Sequence, residues 1–360
     1  MSNETMADLN SQTLIGMVEE RGPAWHRRDD LQGDEDNHYP RFIPTADVTR
    51  RIFNWAPVTA GVAYLVPAEH PVPVGTPSTG LYPGMVTING QLFRVVPSQQ
   101  GRVGTLRGDN DYDMGVFKSD VKHRPYAELI RDAEKLTGQT LGISSAGVLA
   151  KGSRAWVELS MPETIHDATS GVSFRPNLVK ADSMDGSLAN TTFRSSNITI
   201  CDNTLTWNLL EARSAGQLFK RKHTSLSLGD IQEERDALAI IVQMKDEMTQ
   251  ALHAMIAKEL NREQRIEVMD ILVPLPTDDG RARTLADNKR SQLMALDSDP
   301  MVSPWVGNAF GEVQRYNTFD HHFSNIKNTG RSERNTWMAI NGKRAAQDRL
   351  VVSAIEKVLA

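Results

Sequence analysis

The sequence predicts an α+β fold: an antiparallel sheet built from β-hairpins, followed by a long helix and a helical C-terminal region. Three observations carry that prediction. Hydrophobic runs over residues 53–96 and 141–200 are short, alternate with polar residues and are broken by Asn-Gly, Lys-Gly and Asp-Gly pairs, the pattern of strands joined by tight turns. From Ile231 the spacing changes to that of a helix, with Ala237, Ile241, Met244, Met248, Leu252 and Met255 on one stripe. Beyond Pro276, helical spacing recurs to the end of the chain.

In chain order, the first 30 or so residues are polar, and "RRDDLQGDEDN" (27–37) reads as a solvated arm. Asn89-Gly90 stands between "GMVTI" and "QLFRVV", and both residues tolerate the positive φ of a type I′ hairpin turn. "RPYAELIRDAEKLTG" (124–138) predicts a helix, with Pro125 in its first turn, Leu129, Ala133 and Leu136 on one face, and Gly138 as its stop. Lys151-Gly152 joins two further strands, "GVSFRPNLVKADSM" is a third, and Asp185-Gly186 turns into a fourth, "SLANTTFRSSNITI". "NTLTWNLLEARSAG" (203–216) predicts a short helix, and the long helix is expected to run from Ile231 to about Asn261 behind a Gly229-Asp230 cap. These elements divide the chain into an N-terminal polar arm and β-rich region (1–120), a core (121–265) and a C-terminal helical region (266–360).

Composition limits function. With 39% hydrophobic residues and apolar runs no longer than "ALAII" (237–241), nothing approaches the roughly 20 residues of a membrane-spanning helix. The N-terminus lacks the basic and apolar segments of a signal peptide. The single cysteine, Cys201, fits a reducing compartment, so the expected location is the cytoplasm of a host cell. A net charge of -5 gives no global attraction to nucleic acid, although a basic groove can hide in such a sum. GxGxxG and the P-loop are both absent, and no cofactor is expected.

Four constellations could carry chemistry. Cys201 as nucleophile, with His223 as base and Asn203 or Asp202 as orienting partner, has the right residue types, but a cysteine closing a strand is more often packed. Asp320, His321 and His322 adjoin, yet neighbours on a helix diverge by about 100°, so a solvated helix surface is the expected setting. His166-Asp167 and His223 are the other metal-ligand candidates, elsewhere in the chain. The pairs Asp182/Asp185 and Asp278/Asp279 offer carboxylates, but the first flanks a glycine turn, where aspartate commonly binds its own backbone.

The fourth is a basic and aromatic segment. Lys151, Arg154, Arg175, Lys180, Arg194, Lys220, Arg221, Lys222 and His223 interleave with Trp156, Phe174, Phe193, Trp207 and Phe219. A groove that follows a phosphate backbone and stacks bases needs these two residue types together. Most of the aromatics, however, are also what a sheet core would use.

"LVKADSMDGSLANTTFRSSNITICDNTLTWNLL", followed by "FKRKHT", resembles a phage/plasmid-like family catalogued as a domain of unknown function. Ser183, Asp185, Gly186 and Ser187 match its Ser-His-Asp-Gly-Ser element. Cys201, Asn203, Thr204 and Leu205 match its Cys-x-Asn-Thr-Leu element, and Lys222, His223 and Thr224 its Arg-His-Thr element. "AWH" (24–26), "LAKGSRAWVELSM" and "NAFGEVQRYNTFDHH" also fit. The chain departs at Met184, where the family has His, and at Asn197 to Ile200, where it has Arg-Val-Val. The resemblance implies a mobile-element gene. The order helix, hairpin, strands, long helix is similar to that of RecT-like single-strand annealing proteins, which assemble into rings or helical filaments with DNA in a basic groove along the sheet. The expected function is therefore ATP-independent binding and annealing of single-stranded DNA by a homo-oligomer, without nucleotide hydrolysis. A cysteine- or metal-dependent mobile-element enzyme, and a host-interaction or structural oligomer, are the alternatives.

Overall fold

The structure is a computed structural model that describes residues 12–17, 35–69, 84–137, 141–198, 203–205, 219–221, 245–326 and 330–360. Its centre is an eight-stranded sheet of antiparallel pairs. In chain order its strands are β1 (Thr13–Ile15), then, after six strands of two smaller sheets, β8 (Gly142–Leu149), β9 (Arg154–Ser160), β10 (Ile165–Asp167), β11 (Val172–Ser183), β12 (Asn190–Ile198), β13 (Asn203–Leu205) and β14 (Phe219–Arg221). The spatial order is β1-β8-β9-β11-β12-β13, with β10 on β11 and β14 on β12.

The smaller sheets come from the β-rich region. One has the order β2-β6-β7 (Pro57–Gly61, Arg102–Arg107, Asp113–Lys118), the other β3-β5-β4 (Ala63–Pro67, Gln91–Pro97, Met85–Ile88). In the latter, Ile88 pairs with Gln91 and the turn between them has Asn89 at φ 51° and Gly90 at φ 79°. This is the positive-φ geometry the Asn-Gly pair predicted.

The helices are α1 (Thr45–Arg51), α2 (Tyr126–Glu134), α3 (245–256), α4 (Arg262–Leu272), α5 (Arg281–Ala295), α6 (Ala309–Thr318), α7 (Arg331–Ile340) and α8 (Lys343–Leu359); a π-helical turn, Phe319–Phe323, follows α6. α2 lies where it was expected, with Leu129, Ala133 and Leu136 buried. α3 stops at 256 rather than near Asn261. There Asn261 accepts from the Gln264 amide at 2.9 Å while Gln264 returns a bond to the Asn261 N–H, a capping box that starts a new helix. The part of the long helix expected before 245 lies outside the described residues.

Two further differences concern strands. Thr13–Ile15 falls within the stretch read as a polar arm, yet it pairs with Ser145 to Gly147 as an edge strand. Asn203–Leu205 is extended and pairs with β12, where a helix was expected; the remainder of that stretch is not described.

Side-chain alternation along β11 explains the packing. Phe174 and Leu178 join the main core with α1, α2, α3, α4, α6 and α8. Val179 and Ala181 face the other way, with Trp156, Phe193 and Leu149, and are covered by Ile340 and Trp337 of α7. The sheet is thus buried on both faces, which positions both the candidate interface and the C-terminal helices. Among the described residues no helix is long and apolar enough to cross a membrane.

Candidate functional site

One end of the main sheet collects several of the basic residues expected to bind DNA. The β8–β9 connection, Ala150 to Gly152, has φ of 49°, 55° and 100° at its three residues, a left-handed tip that carries exposed Lys151. Ser183 at the end of β11 is opposite Arg154. Asn190 and Thr191 at the start of β12 are opposite Arg221 and Lys220 of β14. The backbone register therefore brings Lys151, Arg154, Lys220 and Arg221 to the same end.

The turn between β11 and β12 is fastened by its own polar side chains. Asp185 Oδ1 accepts from the Ser187 N–H at 2.9 Å, and Ser183 Oγ both accepts from the Leu188 N–H and donates to the Leu188 carbonyl. Asp182 accepts from the Ser183 N–H and from Asn190 Nδ2. These aspartates are turn formers, as their place beside Gly186 suggested.

Arg154 is not free at this end. Its Nε donates to Asp185 Oδ2 at 2.7 Å and its guanidinium lies 4.0 Å from the Trp337 ring. Arg107 is anchored similarly: it makes two bonds to Asp109 (2.7 and 2.9 Å), one to the Lys151 carbonyl, and stacks over Trp55. Lys151 Nζ sits 5.3 Å from the Tyr112 ring.

The other expected DNA contacts are placed elsewhere. Lys180 is 1% exposed and lies on the buried face toward α2. There Asp132 is held below the usual carboxylate range against the opposing effect of burial, by Lys135, Lys180 and Arg124. Lys180 is therefore a core cation and not a surface contact. Arg175 is eight residues from Ser183 along β11, about 26 Å at 3.3 Å per residue. It donates to Thr164 Oγ1 at 2.8 Å, and burial lowers its pKa while Glu158 opposes. Arg194 is opposite Leu178 in the middle of β12. Lys222 and His223 lie outside the described residues, as do Cys201 and Asp202. Of the interleaved aromatics, Trp156, Phe174 and Phe193 are buried in the core, and Trp207 is not described. Among the described residues no three His, Cys, Asp or Glu side chains converge as a metal site.

A second cluster, which the sequence pattern did not reveal, occupies the C-terminal helices. α6 is capped by Asn308, whose Oδ1 accepts from the Gly311 N–H at 2.9 Å, and it is buried on nearly all sides. Phe310 and Val313 enter the main core, which leaves Glu312, Gln314, Arg315 and Asn317 to be accommodated inside the protein. Glu312 accepts from Arg265 Nε at 2.6 Å and from Arg315 Nη1 at 3.0 Å; both arginines also reach Asp297. Burial pushes the Glu312 carboxyl up to about 7 and Arg265 pulls it down, so its ionised form depends on its arginine partners.

The π-helical turn continues the pattern. Asp320 accepts from Arg334 at 2.8 Å and Arg344 at 2.5 Å, and these cations hold it below the usual range although burial opposes them. Arg331, Arg334 and Asn335 of α7 donate to the carbonyls of Asp320, His321 and Ser324, satisfying groups that a helix end leaves open. His321 is buried, contrary to the solvated surface expected for it, whereas His322 is exposed. Burial, followed by the charge of Arg344, drives the His321 pKa well below its ordinary value.

That shift has a defined consequence. The unfolded chain takes up a proton near pH 6.5 and the native imidazole does not, so the stability present above that pH is lost below it. Lowering the pH from 7 toward 5 should therefore destabilise the protein, by at most about 1.4 kcal/mol for each pH unit below 6.5. Urea denaturation across this range should show a shallower pH dependence for His321→Gln than for the wild type; parallel curves would mean that His321 is protonated in the folded protein.

A family model described as "Domain of unknown function (DUF932)" matches residues 114–340. No curated protein and no solved structure matches the chain. The matched segment starts in β7, contains β8 to β14 and ends with α7; it takes in the basic end of the sheet and most of the buried polar cluster, and it covers well over half of the sequence. The chain belongs to the DUF932 family, a domain of unknown function.

Proposed function

We propose that the protein binds single-stranded DNA at the turn end of its main sheet and, as a homo-oligomer encoded by a phage or plasmid, promotes annealing without nucleotide hydrolysis. The observation that carries this reading is the shared position of exposed Lys151, at the β8–β9 tip, and of Lys220 and Arg221 on β14, opposite the first residues of β12. Arg154 and Arg107, each fixed by an aspartate and an aromatic ring, contribute a rigid cationic border. Lys180 is left out because it is buried, and Arg175 because it lies at the other end of β11. With Trp156, Phe174 and Phe193 in the core, binding rests on phosphate contacts more than on base stacking, so it should be strongly salt-dependent and tolerant of sequence.

Fluorescence anisotropy with a labelled oligonucleotide tests this. Lys151→Glu and Arg221→Glu should each weaken binding at low salt by roughly tenfold and reduce the slope of log affinity against log salt by about one for each phosphate that is no longer neutralised. Absence of binding by the wild type at low ionic strength would remove the proposal. Annealing of complementary labelled strands in ATP-free buffer tests the activity separately.

A further inference from the structure

The interface between α6 and α8 contains more hydrogen-bonding capacity than it uses. Asp320, just beyond α6, meets Arg344 at the start of α8, while Val313 and Val351 share the main core. The Asp320–Arg344 pair thus joins the end of α6 to the start of α8, and Asn317 and Asp348 each lie about one helical turn from it, at i−3 from Asp320 and i+4 from Arg344. Asn317 is 2% exposed, and among the described residues neither its Oδ1 nor its Nδ2 has a hydrogen-bond partner. Arg344 is 1% exposed. It uses Nη1 on Asp320 and Gln347, leaving Nε and Nη2 buried and unpartnered. His321 Nε2 and Asp348 Oδ2 are buried and unpartnered as well.

The identity of these atoms points to a ligand class. The Nε–H and one Nη2–H of a guanidinium lie parallel along one edge, which takes two oxygens of a carboxylate or phosphate at once. Buried polar atoms without partners each cost roughly 1–3 kcal/mol, more when charged. A fold that groups several of them loses less if a bound molecule satisfies them together. Local charge agrees: Arg331, Arg334 and Arg344 surround one firmly ionised carboxylate, Asp320. Burial raises the Asp348 carboxyl to about 7, so near neutral pH a fraction of it carries a proton that it can donate to an anion.

We propose that the α6–α8 layer is a binding site for a small oxyanion, a carboxylate or a phosphate, gripped side-on by Arg344 and completed by Asn317 and His321. Two ligand oxygens accept from Arg344 Nε and Nη2, and Asn317 Nδ2 and the His321 Nε2–H are the further donors. A phosphate has enough oxygens to engage all of them, whereas a carboxylate is filled mainly by the arginine edge.

Calorimetry and thermal unfolding of the full chain, with inorganic phosphate or acetate added against chloride at matched ionic strength, test the site. Saturable binding with a rise in Tm is expected; a response to phosphate alone identifies phosphate, and a response to acetate as well identifies the carboxyl-sized edge as sufficient. Arg344→Lys keeps the charge but loses the two-pronged edge and should weaken binding roughly tenfold or more. Asn317→Leu removes an unpartnered buried amide, so it should fold at least as well as the wild type while also losing about tenfold in anion affinity. Failure of both anions to bind above the chloride background would overturn the proposal. So would unchanged affinity in Asn317→Leu, a result readable even if Arg344→Lys does not fold.

Discussion

Glu312→Ala is expected to destabilise the protein by roughly 3–5 kcal/mol, the range for removing one partner of a buried ion pair. Glu312 is enclosed with Arg315 and accepts from two guanidinium groups, Arg265 Nε and Arg315 Nη1. Its removal leaves Arg315, itself 1% exposed, with only Asp297 as counter-charge among the described residues. The cost arises from the charge left behind more than from the net strength of the bond, so two substitutions distinguish the cause. Glu312→Gln keeps the shape and acceptor oxygen and should cost less than alanine. Glu312→Met combined with Arg315→Met replaces both charges with apolar volume and should recover a substantial part of the loss. Chemical denaturation monitored by circular dichroism gives the free energies, and an alanine variant within about 1 kcal/mol of the wild type would show that the cluster is solvated in solution.

The hairpin framework was legible because its signals are local. Asn89-Gly90, Lys151-Gly152 and Asp185-Gly186 each mark a turn at which the backbone enters positive φ, and flanking alternation then sets strand register. The helix from Tyr126 was equally plain from Pro125 and one apolar face. β1 was not, because three residues have no periodicity of their own and their pairing depends on the distant edge of β8. The early stop of α3 was in principle readable: Asn261 followed by Gln264 is a capping signal, masked by the apolar stripe that continues to Leu260.

The site was less legible than the fold. Alternation along β11 separates two faces but cannot tell which is wet, and here both are covered, so Lys180 and Arg175 looked alike in sequence and differ in structure. The register that brings Lys151 and Arg221 to one end depends on β14 pairing with β12 across a separation of some 30 residues. His321 was misread for another reason. A helix buried all round shows no polar stripe to mark its inside, and a π turn shifts the side chains that follow it relative to an α-helical count. Gln314, Asn317 and His321, at i, i+3 and i+7, fall on the same stripe as Phe310 and Val313, so spacing alone could not separate an inside from an outside face.

Gly311→Ala is expected to cost about 3 kcal/mol or more, opposite in sign to helix propensity, which favours alanine over glycine by roughly 1 kcal/mol. Gly311 lies in the first turn of α6, pressed against the short helical turn Ser303–Trp305. A Cβ there would overlap the Trp305 carbonyl oxygen and lie 2.6 Å from the Trp305 carbonyl carbon and 3.2 Å from the Val306 nitrogen. All three are backbone atoms, which cannot rotate away as a side chain would, so the strain exceeds ordinary overpacking of about 1–3 kcal/mol. Relief requires moving the Trp305 turn. Trp305 donates from Nε1 to the Ser170 carbonyl at 2.9 Å and packs edge-on to Phe310 at 5.1 Å, so movement there loosens the C-terminal helices from the turn between β10 and β11. Gly280→Ala is the control, since a Cβ at that position meets nothing within 4 Å and its φ of 168° is extended; its effect should stay within about 0.5 kcal/mol. Denaturation free energies and tryptophan fluorescence should both change for Gly311→Ala and neither for Gly280→Ala. A stabilised Gly311→Ala variant would show that α6 and the Trp305 turn do not touch through their backbones, and the mechanical link from the polar cluster to the sheet would go with it.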